Sequence, residues 1–302
     1  MTVGTGTSER PVIDSTLAKR LVSAQFPQWA ELPLRRLDPA GSDHVIYRLG
    51  TELAVRLPCH SGPIGHIAKE FEWLPQLAPH LPLAIPVPVA KGRPGFGYPW
   101  PWSVFRWLDG EAASVDTLGD SPSVALKLAD FLVALQKFGQ AGATAPALAE
   151  LAQESLAERD RSTREAIAQV ADTFDAAALT AVWEAALTAA SWSREPVWFH
   201  GDFHTGNLLT AGGRLSAVID FGGMGVGDPA CDMMIAYTLM TPTSRAIFRA
   251  ALDVDDATWA RGRGWALTTG LNAYTSYAAT SPRIAAVTSR QILAALADWD
   301  VS

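Results

Sequence analysis

Three oxygen-bearing side chains stand close together in one stretch of the 302-residue chain: Asp202, Asn207 five residues on, and Asp220 at the end of an apolar run. An asparagine carbonyl and a carboxylate suit Mg²⁺, a hard ion that takes oxygen ligands and completes its shell with waters and substrate phosphates. A second carboxylate, free of the metal, can accept a hydroxyl proton or orient that hydroxyl for in-line attack. The three residue types together therefore suit phosphoryl transfer. Which carboxylate takes which part is open at this level.

The elements around them explain how they meet. Residues 197–199 are a short apolar run, 200–206 a glycine-punctuated loop, and 207–210 a strand. Gly212-Gly213 supplies a turn, and 214–221 returns as a mostly buried strand carrying Leu215, Ala217, Val218 and Ile219. Folding this hairpin brings Asn207 and Asp220 to its open end, with the Asp202 loop just beyond.

The order of these residues matches a known pattern. Protein kinases carry His-Arg-Asp-x4-Asn followed by Asp-Phe-Gly; here the chain reads His200-Gly201-Asp202-x4-Asn207, then Asp220-Phe221-Gly222. The chain resembles the aminoglycoside phosphotransferase family, small-molecule kinases with a protein-kinase-like fold. The resemblance covers roughly residues 30 to 280 and is strongest at 200–232. It implies that Asp202 is the catalytic aspartate, Asn207 and Asp220 the metal ligands, and His200 the structural histidine that opens the motif. Gly227-Asp228-Pro229-Ala230-Cys231-Asp232 is similar to the family's Asp-Pro-x-x-Asp segment, which implies that Asp232 braces the catalytic loop. Asp228 reads equally well as a helix N-cap, and His204 as a polar loop residue.

A nucleotide-binding part is expected upstream. Residues 34–37, 45–49 and 52–57 read as three short strands, separated by Ala40-Gly41-Ser42-Asp43 and by a Gly50-Thr51 turn. The first of these turns can lie over phosphates through its backbone N–H groups and the Ser42 hydroxyl. Arg56 stands where the resembling kinases place a phosphate-binding lysine; an arginine fork can clamp phosphate but is not equivalent to lysine. Helical phase over 64–78 makes Ile64, Ile67, Phe71, Leu74 and Ala78 one apolar stripe. Glu70 lies nearer that stripe than Glu72 and is expected to pair with Arg56. Residues 99–110 read as a last strand running into a hinge at 106–110. The resemblance implies that hinge backbone at Arg106 and Leu108 meets the nucleotide base, with Phe105 the bulky residue behind it. The cofactors implied are ATP or GTP, and Mg²⁺.

Global features agree. Apolar residues make up 48% of the chain, enough for two cores. Residues 1–140 hold 13 acidic and 13 basic side chains and 141–302 hold 18 and 11, so the net charge of −7 belongs to the second part. That sign argues against a nucleic-acid partner. The most apolar stretches are broken by prolines, which argues against a membrane span. Cys59 and Cys231 suggest neither a disulfide scaffold nor a metal cluster. No protein partner is evident, and a cytoplasmic location is expected.

From 121 onward helices dominate: 121–138, 146–172, 175–192, 242–252, 255–278 and 282–299. The expectation is an α+β, bilobal protein-kinase-like fold, with a small antiparallel-sheet N-lobe carrying one helix (1–106) and a mainly helical C-lobe (107–302). Asp220 is followed within eight residues by Asp228-Pro229, too little chain for a peptide-docking activation segment. The acceptor is therefore expected to be a small hydroxylated molecule, most readily a cationic, aminoglycoside-like antibiotic. Candidate carboxylates for it are Glu154, Glu158, Asp160, Glu165, Asp253, Asp255 and Asp256. Alternatives are a kinase for a macrolide or for a small alcohol such as choline, ethanolamine, homoserine or a sugar, and a catalytically silent kinase-like binding protein. A dinucleotide-binding oxidoreductase is suggested only by the glycines of 222–227, whose spacing does not fit.

Overall fold

The structure, a computed structural model, describes residues 11–37, 43–139 and 154–299. It divides into two compact units, one of residues 1–79 and 85–109 and the other of 80–84 and 110–302.

The first unit is a sheet covered on both faces. Helix α1 (Ser15–Gln25) starts at Asp14, whose carboxylate accepts the Leu17 N–H at 2.7 Å. Strands β1 (Leu34–Arg36), β2 (His44–Leu49), β3 (Leu53–Pro58), β4 (Pro88–Gly92) and β5 (Trp102–Arg106) form one antiparallel sheet in the order β1-β2-β3-β5-β4. Helix α2 (Ile64–Leu77) connects β3 to the β4 side. Side chains alternate across a strand, so the central β3 serves two environments. Val55 and Leu57 join Tyr47, Trp102, Val104 and the α1 residues Ala18, Leu21 and Val22 in one core. Ala54 and Arg56 point to the other face, where Phe105 lies beside Ala54 in register. This unit has two α-helices rather than the one expected: the Asp14 cap followed by Leu17, Leu21 and Val22 begins an amphipathic helix ahead of the sheet. Strand β4 was missed too, because Pro88 disguises an edge strand, where proline is tolerated.

The second unit begins with β6 (Glu111–Ala112), α3 (Val115–Leu118) and α4 (Pro122–Lys137), then α5 (Asp160–Gln169) and α6 (Ala176–Thr188). Strand β7 (Val197–Phe199) leads into the loop of interest, and β8 (Leu208–Ala211) and β9 (Arg214–Val218) form the hairpin, with β6 beside β8. The turn Gly212-Gly213 has φ of +56° and +71°, the left-handed pair that a two-residue hairpin loop of matching twist requires. Residues 80–84 belong with this unit because Ala84 exchanges backbone hydrogen bonds with Ser216 and Val218. Strand β10 (Gly225–Gly227) pairs antiparallel with β7. Its glycines hid it from sequence reading, since glycine is depleted in strands. The same pairing accounts for the 222–227 glycines without a dinucleotide loop.

The helices α7 (Ile235–Thr238), α8 (Pro242–Leu252), α9 (Asp256–Tyr277) and α10 (Pro282–Trp299) complete the unit. Helix α9 runs through its centre. A Cβ on Gly262 would come within 2.4 Å of Met233 Cβ, and one on Gly264 within 2.4 Å of Ala186 Cβ, so these glycines let α9 approach its neighbours more closely than alanine allows. Together the units make a mixed α+β chain, as expected. Among the described residues no helix is long and apolar enough to cross a membrane.

Candidate functional site

His200 to Asp220 is held from below by two buried polar side chains. His200 is fully buried; its Nδ1 accepts the Asp202 N–H at 3.2 Å, which places its proton on Nε2 for donation to Ile219 O at 3.1 Å. Its ring packs against Phe221, centroid to centroid 4.5 Å, and Phe203, 5.5 Å. Burial pushes the imidazole down to about 4, so it is neutral at physiological pH. One side chain thus ties the backbone of Asp202 to the residue before Asp220.

Asp232 does the corresponding work on the other side, as the motif implied. Its Oδ2 accepts the His200 N–H at 2.7 Å and its Oδ1 the Gly201 N–H at 2.9 Å, with the carboxylate entirely buried. Burial raises its pKa to about 7 against the lowering effect of those two N–H donors. Gly201 has φ +85°, and a Cβ there would stand 2.1 Å from Gly223 O, so the 200–206 loop and the loop after Asp220 touch backbone to backbone. Asp228 is engaged structurally: it caps the 3₁₀ turn at Ala230 N and takes a two-pronged ion pair from Arg261, at 2.7 and 3.1 Å.

Asn207 defines the orientation of the site. Its Nδ2 donates to Asp202 O at 2.9 Å and to Asp202 Oδ2 at 3.0 Å, which leaves its Oδ1 as the amide's acceptor. Leu208 pairs with Val218, and Ile219 N donates to Asn207 O at 2.9 Å, so Asn207 and Asp220 close the same end of the hairpin. Asp220 adopts a left-handed conformation, φ 64° and ψ 67°, which a short polar residue tolerates better than most. His204 borders the same carboxylate: its Nε2 lies 3.4 Å from Asp202 Oδ2 while its Nδ1 accepts the Gly206 N–H at 3.0 Å. Burial alone would raise the Asp202 carboxyl, but His204, His200 and Asn207 together hold it below the usual carboxylate range. The reciprocal influence of Asp202 and Asp220 raises His204 against its own burial.

In the first unit, Arg56 donates from Nη1 to Glu70 Oε1 at 2.8 Å, with Glu70 1% exposed. The pairing is the one helical phase selected, and Glu72 is exposed. The phase itself needs correction: the buried face of α2 is Ile67, Glu70, Trp73, Leu74 and Leu77, so Glu70 lies at its middle rather than at the flank of an Ile64–Ala78 stripe. Phe105 is buried edge-on to Phe71 at 5.9 Å, and the Arg56 guanidinium lies 5.1 Å from the Phe105 ring centre. The Arg106 N–H donates to Val87 O at 2.8 Å and is therefore committed to the sheet, whereas the Leu108 N–H donates to no group among the described residues. Ser42 lies outside the described residues.

Most of the carboxylates proposed for an acceptor are occupied within the fold. Glu154 pairs with Arg159, Glu158 completes a capping box with Ser155, Asp160 binds Arg164 and the Trp183 indole, Asp255 caps α9 and pairs with Arg194, and Asp256 pairs with Arg249. Glu165 is exposed, and Asp253 ends α8 at φ +52°.

Two loops brought together by a glycine contact thus carry an Asp-Asn pair and a second aspartate at the same end of one hairpin. A family model for the phosphotransferase enzyme family matches residues 35–265, and the chain belongs to that family. It is similar to the GDP and kanamycin complex of APH(2")-IIia, with 20% identity, TM-score 0.73, and 93% of this chain and 99% of that chain covered. It is also similar to the streptomycin-ATP-APH(2")-IIa ternary complex (17% identity, TM-score 0.61, 94% and 98% covered). A third likeness is to the apoenzyme of macrolide 2'-phosphotransferase MphH from Brachybacterium faecium (22%, 0.59, 93% and 97%). No curated protein matches the chain. At these identities the structural likenesses establish the fold.

Proposed function

We propose that the protein is a Mg²⁺-dependent cytoplasmic phosphotransferase that moves the γ-phosphoryl group of ATP or GTP to a hydroxyl of a small, cationic, aminoglycoside-like molecule. The observation that carries this reading is the orientation of Asn207. With Nδ2 engaged by Asp202, its Oδ1 is the atom left for a metal, beside Asp220 at the hairpin end. One amide oxygen and one carboxylate suit Mg²⁺ that takes most of its shell from phosphates and water. Among the described residues, no group of three or more His, Cys, Asp or Glu forms a cage of its own. When bound, the metal neutralises phosphate charge.

Asp202 accepts the acceptor's hydroxyl proton; the hydroxyl oxygen forms a bond to the γ-phosphorus as the bridging bond to the β-phosphate breaks, and the nucleoside diphosphate leaves with that electron pair. Against its burial, His204, His200 and Asn207 hold the Asp202 pKa down, which keeps it in the ionised form that can accept a proton. Arg56, fixed by Glu70, supplies a fork of donors for the phosphates. Leu108 N–H and the Arg106 carbonyl are the backbone groups for the base, Phe105 walls the pocket behind them, and Ser42 serves the phosphates.

Two of the similar structures hold GDP with kanamycin and ATP with streptomycin, and the acidic excess beyond residue 140 favours a cationic acceptor. A macrolide is the second reading, supported by the likeness to the macrolide enzyme. The test is nucleotide consumption with ATP and GTP against aminoglycosides, macrolides and small amino alcohols. Asp202→Asn should lower turnover by about 10²–10⁴-fold while nucleotide still binds. Turnover of this variant within tenfold of wild type would remove Asp202 from its role.

A further inference from the structure

We propose that His204 is a positioning residue that selects which oxygen of Asp202 takes the proton; the inference rests on the phosphotransferase reading above. Asp202 Oδ2 already receives Asn207 Nδ2 at 3.0 Å, and His204 Nε2 approaches the same atom at 3.4 Å. The tautomer is fixed by the other ring nitrogen. Because His204 Nδ1 accepts the Gly206 N–H at 3.0 Å, the neutral ring carries its proton on Nε2 and turns a donor toward the carboxylate.

One hydrogen bond on Oδ2, from Asn207, and the His204 Nε2–H standing 3.4 Å from the same atom leave Oδ1, which accepts from no group among the described residues, as the oxygen that faces the incoming hydroxyl. The distance of 3.4 Å is longer than an ordinary N–H···O bond, so the ring acts on this oxygen chiefly through the field of its N–H dipole. His204 therefore works through Asp202 and touches neither nucleotide nor acceptor. The loop does not depend on it alone: Asn207 N donates to His204 O at 3.0 Å and Thr205 N to Thr238 Oγ1 at 3.2 Å, both through groups that survive a change of the His204 side chain.

Two substitutions separate positioning from loop capping. In His204→Asn the amide oxygen falls near the place of Nδ1 and can still accept the Gly206 N–H, but nothing reaches Asp202. In His204→Gln the amide nitrogen falls near the place of Nε2 and can still reach Asp202, but the cap is lost. Kinetics are measured with the best acceptor of the screen and with water as acceptor, alongside nucleotide Kd and thermal melting. The expected result is that His204→Asn lowers kcat by roughly 10–100-fold, with KM and nucleotide Kd unchanged, and that His204→Gln restores most of kcat. The reverse order, with Asn active and Gln impaired, or equal kcat in both variants, overturns the proposal. A wild-type protein that consumes no nucleotide with any acceptor overturns the phosphotransferase reading itself, a distinct outcome because the parent is then silent too.

Discussion

Adding one methyl group at Gly201 should disable the enzyme while leaving it folded. The new Cβ would lie 2.1 Å from Gly223 O and 2.6 Å from Gly223 C, both backbone atoms that cannot rotate away. Relief requires the two loops to part by about an ångström to restore van der Waals contact. The Gly201 side cannot give easily, because its N–H and that of His200 are anchored on the buried Asp232 carboxylate at 2.9 and 2.7 Å. The shift therefore falls on 221–223, next to Asp220. A displacement of that size typically costs on the order of 10² in rate. A non-glycine residue at the φ of +85° adds about 1–2 kcal/mol of strain to the folded state. Gly212→Ala is the control: φ there is +56°, but nothing lies within 4 Å of its Cβ, so it carries the strain without the separation. Thermal melting of both variants, with kcat measured across a Mg²⁺ titration, distinguishes the effects. Both should melt somewhat lower than wild type, and only Gly201→Ala should lose turnover. If Gly201→Ala turns over as fast as Gly212→Ala, the backbone contact between the loops does not set the geometry of the site.

Asn207→Ala and Asp220→Ala should each raise the Mg²⁺ concentration for half-maximal rate, Asp220 the more strongly because it carries charge; unchanged metal dependence in both would move the metal elsewhere. Glu70→Ala leaves the Arg56 guanidinium without its 2.8 Å partner and should weaken nucleotide binding, whereas exposed Glu72→Ala should match wild type in the same titration. For His200 the folded pKa of about 4 lies below the unfolded value of about 6.5, so the unfolded chain binds the extra proton and stability falls as pH drops between them. That contribution amounts to about 2 kcal/mol between pH 7.5 and 5 by linkage. Urea unfolding of His200→Asn should show a shallower acid limb than wild type, and parallel limbs would contradict a neutral buried imidazole.

How much of this was legible depends on how far each interaction reaches along the chain. The Asp202, Asn207 and Asp220 set spans 19 residues of a loop and a hairpin, and two adjacent glycines specify the turn, so local chemistry fixed which ends meet. Arg56 and Glu70 were paired across 14 residues because a strand-to-helix connection leaves few phases that reach inward. The phase was nevertheless displaced, since Trp73 and Leu77 were left out of the stripe and only tertiary packing shows them buried. Strand β10 and the Gly201–Gly223 contact could not be read from propensity, because glycine carries no preference that marks either. The partners of His204 were equally invisible: whether a histidine two residues after an aspartate meets it depends on the rotamer that Gly206 N–H imposes.

The acceptor is the hardest part to read for the same reason. Carboxylates are numerous beyond residue 140, and sequence gives each equal standing as a ligand for a cation. The fold withdraws most of them. A carboxylate bound to a guanidinium, as Asp160 and Glu154 are, or accepting the N–H groups of a helix start, as Asp255 does, has its charge largely answered before any ligand arrives. Cationic recognition would then rest on fewer groups than the composition suggests, with exposed Glu165 among those left over. The net charge of the region would still attract a cation over a Debye length of about 8–10 Å, raising its local concentration more than its contact energy. On this argument salt should slow acceptor capture, seen in kcat/KM, far more than it slows kcat at saturation. An acceptor whose kcat/KM ignores ionic strength is not held by the acidity of this unit.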